Sequence, residues 1–306
     1  MKLIKLSVLS LLFATIATSC NLDNDDNYVS NTFSCCNLVT DASGNSYVSD
    51  GSYKATFYLD NGLIDISTAA LDINGKEYSF NSDKMKVTTK YYSVPWTSSP
   101  ADISSFSGGY ASGAISVSDL SGNLSSLVYL INTNDPLNAL YPFVGRVAVS
   151  LNYKVNDTFT VKTFMPESVY SGTTVITDDS GAFPEFTSEN TLYRVIFSSD
   201  RQKADLIIYN AKFAQMMPEI NFIVKDLQVQ YNNGSYTISI PAGQSINPST
   251  YEGDGLTENP NYPFTSLELR PIDSALTKVD IDFKISVRGM PFTCRFTGSS
   301  QYPVND

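Results

Sequence analysis

The chain contains no histidine among its 306 residues. This absence excludes Ser-His-Asp and Cys-His catalytic groups, histidine general bases and histidine-ligated metal sites. The sequence also lacks a glycine-rich phosphate loop and a dinucleotide-binding fingerprint. Catalysis remains possible through pairs of carboxylates, as in glycoside hydrolysis. We expect the protein not to be an enzyme, to have no catalytic residues and to need no cofactor.

Basic residues are scarce as well, since 20 Lys and Arg stand against 31 Asp and Glu, giving a net charge of −11. This balance argues against nucleic acid and anionic lipid headgroups as partners. Two acidic clusters in predicted loops could supply paired carboxylates or bind calcium, but neither has EF-hand spacing. Solvated loop charge is therefore the favoured interpretation, and no metal site is predicted. The clusters are Asp178 with Asp179, and Glu252 with Asp254 and Glu258.

Long apolar runs are confined to the N-terminus. Residues 1–19 combine a positive start at Lys2 and Lys5 with an apolar segment over Leu6–Ile16. This pattern predicts a secretory signal peptide, because the run is too short and wrongly flanked for a membrane span. No second run is long enough to cross a bilayer. Removal of the signal peptide would leave a net charge of about −13, because Lys2 and Lys5 are removed with it.

The end of this signal resembles a bacterial lipobox. Small residues precede Cys20, although Ala17 stands where leucine is usual. The resemblance implies cleavage before Cys20 and a lipid on its thiol, whereas the alternative is an ordinary cleaved signal. The acidic segment at 21–27 resembles the surface-export signal of Bacteroidetes lipoproteins. The expected location is therefore the outer membrane, with a lipid anchor and exposure at the cell surface. The inner leaflet of the outer membrane is the alternative.

Cysteines are few after the lipobox. Cys35 and Cys36 are adjacent, and Cys294 lies far along the chain. Outside the cytoplasm a disulfide between Cys36 and Cys294 is one possibility. A buried, reduced Cys294 is the favoured alternative. No Cys-x-x-Cys spacing occurs, which disfavours zinc and thioredoxin chemistry.

Aromatic and β-forming residues dominate what remains. Tyr (19) and Phe (17) far outnumber Trp (1), which favours strands over helices. The stretch Tyr193–Tyr231 alternates apolar and polar residues, and Tyr53–Thr88 repeats this pattern more loosely. A second pair of segments, Val147–Phe164 and Val279–Phe296, is also similar. We therefore predict a tandem repeat of one β-unit, against the alternative that two β-rich segments align by chance.

Each unit contains about eight predicted strands joined by hairpins or short loops. This count fits antiparallel barrels of the calycin or lipocalin kind, and barrel-like sandwiches fit nearly as well. The predicted fold class is all-β, with two tandem domains after the signal peptide. The predicted boundaries are 1–19 signal peptide, 20–50 lipidated cysteine and polar tether, 51–165 first β-domain, 166–189 linker, 190–300 second calycin-like β-domain and 301–306 tail.

One segment of the second unit resembles a known domain. The sequence LIIYNAKFAQMMPEINFIVKDLQVQY, at 206–231, is similar to the calycin-like β-barrel domain of Bacteroidetes surface lipoproteins. The matching residues are Tyr209, Asn210, Lys212 and Phe213, followed by Met217-Pro218. The resemblance implies an antiparallel barrel and carries over no catalytic residues.

Aromatic residues in the long predicted loops are the candidate ligand-binding residues. Such side chains could stack on sugar rings, although each could instead close a barrel end as part of the core. The expected function is a non-enzymatic binding module for a glycan, lipid or protein partner. An adhesin or pilus-type subunit is the alternative, and a carboxylate-based glycan hydrolase is a weaker one. The candidates are Trp96, Tyr92, Phe106, Tyr110, Tyr251 and Tyr262.

Overall fold

A computed structural model of the chain describes residues 28–58, 63–86, 109–117, 120–130, 148–252 and 255–300. These residues form strands, turns and loops, and none of them lies in a helix. Accordingly, the described residues include no helix capable of crossing a membrane. The predicted all-β, barrel-like architecture is confirmed.

Nine strands of the first sheet lie in the described part of the chain. They are β1 (Tyr28–Thr40), β2 (Ser46–Tyr58), β3 (Leu63–Ile73), β4 (Lys76–Ser82), β5 (Met85–Lys86), β6 (Gly109–Val117), β7 (Leu120–Leu130), β8 (Ala148–Val155) and β9 (Phe159–Phe164). Eight of them pair antiparallel in the ring order β1-β2-β3-β4-β6-β7-β8-β9, and β9 pairs with β1 to close it. The short β5 pairs with β3 outside the ring.

The second sheet has eleven strands among the residues that the structure describes. They are β10 (Glu167–Asp178), β11 (Phe186–Ser188), β12 (Leu192–Phe197), β13 (Lys203–Ala211), β14 (Ile220–Asn232), β15 (Ser235–Ser239), β16 (Ser249–Glu252), β17 (Gly255–Glu258), β18 (Phe264–Pro271), β19 (Lys278–Val287) and β20 (Met290–Ser300). Pairing runs around β10-β12-β13-β14-β15-β18-β19-β20 and returns to β10. The shortest strand pairing in this ring is between β15 and β18, which share two residue pairs.

The structure moves two of the predicted boundaries. Most of the segment predicted as a linker, 166–189, belongs to the second ring, because β10 pairs with both β12 and β20. Only Met165 and Pro166 separate β9 from β10. Likewise, the predicted tether 20–50 contains β1 and the start of β2. The linker and tether predictions are therefore wrong over these strands, whose alternation is partly hidden by polar residues.

Alternation explains why these segments form half-buried strands. Buried and less buried residues alternate along β12 and along most of β19. Successive side chains of a strand point to opposite faces, so one set enters the ring and the other faces outward. Asn74 and Gly75 both have positive φ and form the tight turn between β3 and β4, as their sequence predicts.

Bulges join segments that the sequence presents as separate strands. In β3, the register shifts between Thr68 and Leu71, where Ala69 and Ala70 together lie opposite the single residue Ser79 of β4. β14 is likewise continuous through Asp226, whose φ is 58°. A β-bulge adds a residue without ending a strand, and it hides the period of two from sequence reading.

The two rings bury large aromatic residues in corresponding strands, the second and the fourth of each ring. Tyr53 of β2 and Tyr193 of β12 are both fully buried, as are Phe80 of β4 and Phe222 of β14. Both rings also contain eight antiparallel strands in chain order. A common origin by duplication stays a prediction.

Candidate functional site

The interior of the second ring is filled with aromatic side chains. Tyr193 lies 4.3 Å from Phe296 between ring centroids, and Phe264 lies 5.4 Å from Phe283. Phe222 packs edge-on against Phe264 at 5.9 Å. All five are at most 3% exposed. The described part of this barrel is therefore a packed core, and a ligand has to bind outside it.

The interior of the first ring is built around two tyrosines. The hydroxyls of Tyr53 and Tyr153 lie 2.9 Å apart, and Tyr53 also donates to the Asn37 side-chain oxygen at 2.9 Å. The aromatic ring of Phe80 packs against both tyrosines, with centroid distances of 5.8 Å to Tyr53 and 4.9 Å to Tyr153. Burial raises the pKa of Tyr53 and of Tyr153, so both stay protonated and hydrogen-bonded.

The first ring closes one end of the second. Phe164, at the end of β9, packs its ring 5.0 Å from Phe197 and 5.2 Å from Tyr236. Cys36 and Leu38 on the outer face of β1 are fully buried in the same hydrophobic cluster. Residues of one barrel thus complete the core of the other, and the two barrels share a continuous apolar junction.

Polar contacts from three turns of the second ring fix this junction. Arg201, in the turn between β12 and β13, forms an ion pair with Asp50 of β2 at 2.8 Å. Lys162 of β9 donates to the backbone oxygen of Gly234 at 3.0 Å. Ser150 of β8 donates to the backbone oxygen of Ala275 at 3.0 Å. Together with the apolar contacts, these bonds specify one arrangement of the two barrels.

The junction leaves an open groove on the outer face of β1, β2 and β3. We call it the inter-barrel groove, and its volume is about 670 Å³. Its floor carries hydroxyl groups and small side chains, while Pro166 and Arg201 form the wall on the side of the second ring. Polar residues that line it are Thr32, Ser34, Asp50, Ser52, Lys54, Ser67 and Thr68.

Cross-strand pairing arranges these floor residues in rows. Lys54 lies opposite Thr32 of β1 and opposite Ser67 of β3. Ser52 lies opposite Ser34 in a neighbouring row. Neighbouring strands are about 4.8 Å apart, so each row presents closely spaced donors and acceptors. The groove can therefore form several hydrogen bonds with a hydroxylated ligand.

A second surface pocket, of about 550 Å³, lies on the outer face of β18, β19 and β20. Its Arg270 is held in ion pairs with Glu268 at 2.8 Å, Asp282 at 3.2 Å and Asp280 at 3.4 Å. The guanidinium group is thus already surrounded by carboxylates. This pocket is therefore a weaker candidate for ligand binding than the inter-barrel groove.

The structure places the predicted ligand-binding aromatics apart from this groove. Tyr262 is 6% exposed and packs 5.3 Å from Phe222, so it belongs to the core rather than to an accessible ligand site. Tyr110 lies in β6 and Tyr251 in β16, but their side chains are outside the described part of the chain. The other predicted site residues, Cys20, Tyr92, Trp96 and Phe106, also lie outside the described residues.

The possible disulfide between Cys36 and Cys294 is absent. Both thiols and that of Cys35 are free and buried. Burial raises the pKa of Cys36 to about 11, although nearby Arg201 lowers it in part. Burial also raises the pKa of Cys35 and of Cys294 well above the usual value. These thiols serve as small core residues, because a buried thiol resists forming the reactive thiolate.

The acidic loop side chains Asp178, Asp179 and Glu258 accept hydrogen bonds from other groups of the protein. Asp178 accepts bonds from the backbone N–H of Ser180 at 2.8 Å and of Phe183 at 2.9 Å. Its neighbour Asp179 accepts a bond from the Thr293 hydroxyl at 2.9 Å. Glu258 accepts one from the Asn247 side chain at 2.8 Å. Across the described residues, no three acidic, cysteine or histidine side chains gather as a metal-binding group.

The sequence did not reveal the groove residues Asp50, Lys54 and Arg201. The alternation around β2 does place Asp50 and Lys54 on one outward face. Arg201, however, is 151 residues from Asp50. Only the docking of the two rings brings that guanidinium group to the groove.

Comparisons with known proteins add little to this picture. No protein-family model matches the chain, and no curated protein matches it. Among solved structures, it is similar to a protein from Bacteroides fragilis that is provisionally described as an outer membrane protein. The identity is 16%, the match covers 88% of this chain and 97% of that one, and the TM-score is 0.32. A likeness of this degree carries no argument about function.

Proposed function

We propose that this chain is a non-enzymatic, lipid-anchored protein of the bacterial outer membrane that binds a saccharide in the inter-barrel groove. The proposed location rests on the N-terminal sequence, in which a signal-like segment ends at Cys20 and an acidic tether follows. The proposed activity rests on the groove. Exposure at the cell surface and the origin of the two barrels by duplication belong to the same proposal.

The observation that carries the proposal is a hydroxyl-lined groove of about 670 Å³ beside two barrels whose described interiors are filled with side chains. Small-molecule sites occur preferentially where two domains meet. The groove presents the carboxylate of Asp50 beside the guanidinium group of Arg201, at 2.8 Å. A carboxylate accepts hydrogen bonds from sugar hydroxyls and a guanidinium group donates to them, and charged partners make these bonds stronger.

Among the three ligand classes expected from the sequence, the groove fits a saccharide best. A lipid would need an apolar cavity, and the described barrel interiors are filled by side chains such as Phe80 and Phe264. A protein partner would favour exposed apolar residues, whereas the groove floor consists mainly of serine, threonine and charged residues. A protein partner remains the alternative occupant.

A blocking substitution tests this proposal. Thr32 is exposed on the groove floor, so Thr32→Trp would fill the groove without removing a core contact. The chain from residue 21 to 306 would be screened against an array of neutral and acidic oligosaccharides. We expect specific binding that Thr32→Trp weakens at least about tenfold, which is equivalent to losing one or two good hydrogen bonds.

The matched control is Thr187→Trp, which adds the same ring at an exposed position of β11, far along the chain from the groove strands. The control should bind like the unmodified chain. Absence of any oligosaccharide binding would overturn the proposal. Equal binding by both tryptophan variants would show that the saccharide binds outside the groove.

The alternative of an adhesin or pilus-type subunit requires an open sheet edge for strand exchange between chains. In the described residues, every strand of both eight-stranded rings pairs on two sides. Only short strands such as β5, β11 and β17 have an unpaired edge there. The closed rings therefore favour binding over assembly by strand exchange.

A further inference from the structure

Lys54 gives the inter-barrel groove a cation that no described carboxylate neutralises. It lies exposed in the middle of the floor, between Thr32 and Ser67, and forms no ion pair with the described residues. Its diagonal neighbour Asp65 is engaged elsewhere, because the Tyr58 hydroxyl donates to that carboxylate at 2.6 Å. The protein as a whole carries a net charge of −11, so Lys54 places positive charge in the groove of an otherwise acidic chain.

The other two charges of the groove neutralise each other. Arg201 and Asp50 form an ion pair at one end, where the guanidinium group also donates to the backbone oxygen of Ser198 at 2.8 Å. Lys54 is four residues from Asp50 on the same face of β2. At about 3.3 Å per residue, the backbone of Lys54 lies roughly 13 Å along β2 from that of Asp50. Hydroxyls of Ser34 and Ser52 occupy the interval.

We propose that the groove selects a saccharide bearing a carboxylate, with Lys54 as the residue that recognises the acidic group. This inference rests on the proposed function, since it assigns a substrate class to the same site. The ammonium group would donate to the carboxylate of an acidic sugar ring. The hydroxyl rows and the Asp50–Arg201 pair would bind the neutral hydroxyls of the neighbouring rings.

The test compares two ligands that differ only at their carboxylate groups. Isothermal titration would measure binding of a uronic-acid trisaccharide and of the same trisaccharide with its carboxylates reduced to alcohols. We expect the acidic ligand to bind at least about tenfold more tightly, in line with a hydrogen bond to a charged group. We also expect this preference to shrink as ionic strength rises, because salt screens exposed charges.

Lys54→Met should abolish the preference, because neither ligand then meets a cation at this position of the groove. The matched control is Lys154→Met, an exposed lysine on β8 of the same barrel that does not line the groove. The control should keep the full preference. Loss of preference in Lys54→Met alone would support the assignment.

The remaining outcomes separate this inference from the function on which it rests. Equal binding of both ligands by the unmodified chain would overturn the inference and leave saccharide binding intact. A preference for the acidic ligand that persists in Lys54→Met would also overturn the inference and leave saccharide binding intact. Failure of both ligands, together with failure of every sugar on the array, would overturn the proposed function as well.

Discussion

Aspartates in tight turns are the clearest examples of single residues that organise this fold. Asp41, Asp178 and Asp200 each accept hydrogen bonds from residues that follow them in their turns. The pKa of the Asp178 carboxyl group is lowered, and the largest cause is the hydrogen bond that it accepts from the Ser180 hydroxyl at 2.6 Å. The pKa values of Asp41 and Asp200 are lowered in the same way. Such bonds favour the charged form, so these turns depend on ionised aspartate.

This dependence predicts a stability that declines in acid. A carboxyl group whose pKa is lower in the folded state stabilises the fold above its unfolded pKa, about 3.9 for aspartate. That contribution is lost as the pH falls through the lower folded value. We expect the free energy of unfolding to decrease below about pH 4, and Asp178→Asn to remove part of the decrease.

Urea unfolding at pH 7, 5 and 3 would measure this effect. Glu185→Gln, at an exposed position in the loop after Asp178, is the control and should keep the pH dependence of the unmodified chain. A pH dependence that is identical in Asp178→Asn and in the unmodified chain would contradict the assignment.

At the scale of elements, the end of one strand joins the two barrels. β9 ends at Phe164, and β10 begins after only two further residues. The short connection forces the first ring against the open end of the second, where Phe164 meets Phe197 and Tyr236. Turns on the same end, at Arg201 and Gly234, then bond to β2 and β9. The connection and the packing together place the groove beside the junction.

The packing of Phe164 predicts a large loss of stability when the ring is removed. Phe164→Ala should lower the free energy of unfolding by about 3–5 kcal/mol, as for other buried phenylalanines. Phe159→Ala, on the same strand but only half-buried, is the control and should cost less. Urea titration followed by tyrosine fluorescence would measure both. A loss in Phe164→Ala no larger than that of the control would contradict a shared core.

At the scale of the whole molecule, the proposed architecture is a pair of docked barrels on a lipid anchor. β1 begins at Tyr28, which leaves only a short acidic segment between it and Cys20. A lipid on Cys20 would therefore hold the first barrel close to the membrane surface. The alternating strands direct apolar side chains into the rings and polar ones outward, as expected of domains that face water.

This arrangement predicts that membrane attachment depends on one thiol. Cys20→Ser should abolish incorporation of labelled fatty acid and release the chain from the membrane fraction. Cys35→Ser is the control, because it removes a buried thiol and leaves Cys20 in place. Labelling and fractionation of cells expressing each variant would provide the measurement. Fatty acid that remains on the Cys20→Ser chain would show that the anchor is elsewhere.

Several features of this protein were readable from the sequence because they depend on near neighbours. The alternation of Tyr193, Val195 and Phe197 identifies a half-buried strand, and Asn74-Gly75 identifies a hairpin turn. The absence of histidine removes whole classes of catalysis. Each inference uses the geometry of a few consecutive residues or the chemistry of a residue type, and neither requires the chain to be folded.

Only the tertiary structure decided how the strands close and where the barrels touch. The role of β10 depends on its pairing with β20, more than a hundred residues away, so the local sequence of its segment predicts only a linker. Tyr262 entered the core and Cys36 remained unbridged for the same reason, since their neighbours come from distant strands. Asp50 and Arg201 meet only after both rings have formed. Long-range pairing and docking set these contacts, and no local pattern encodes them.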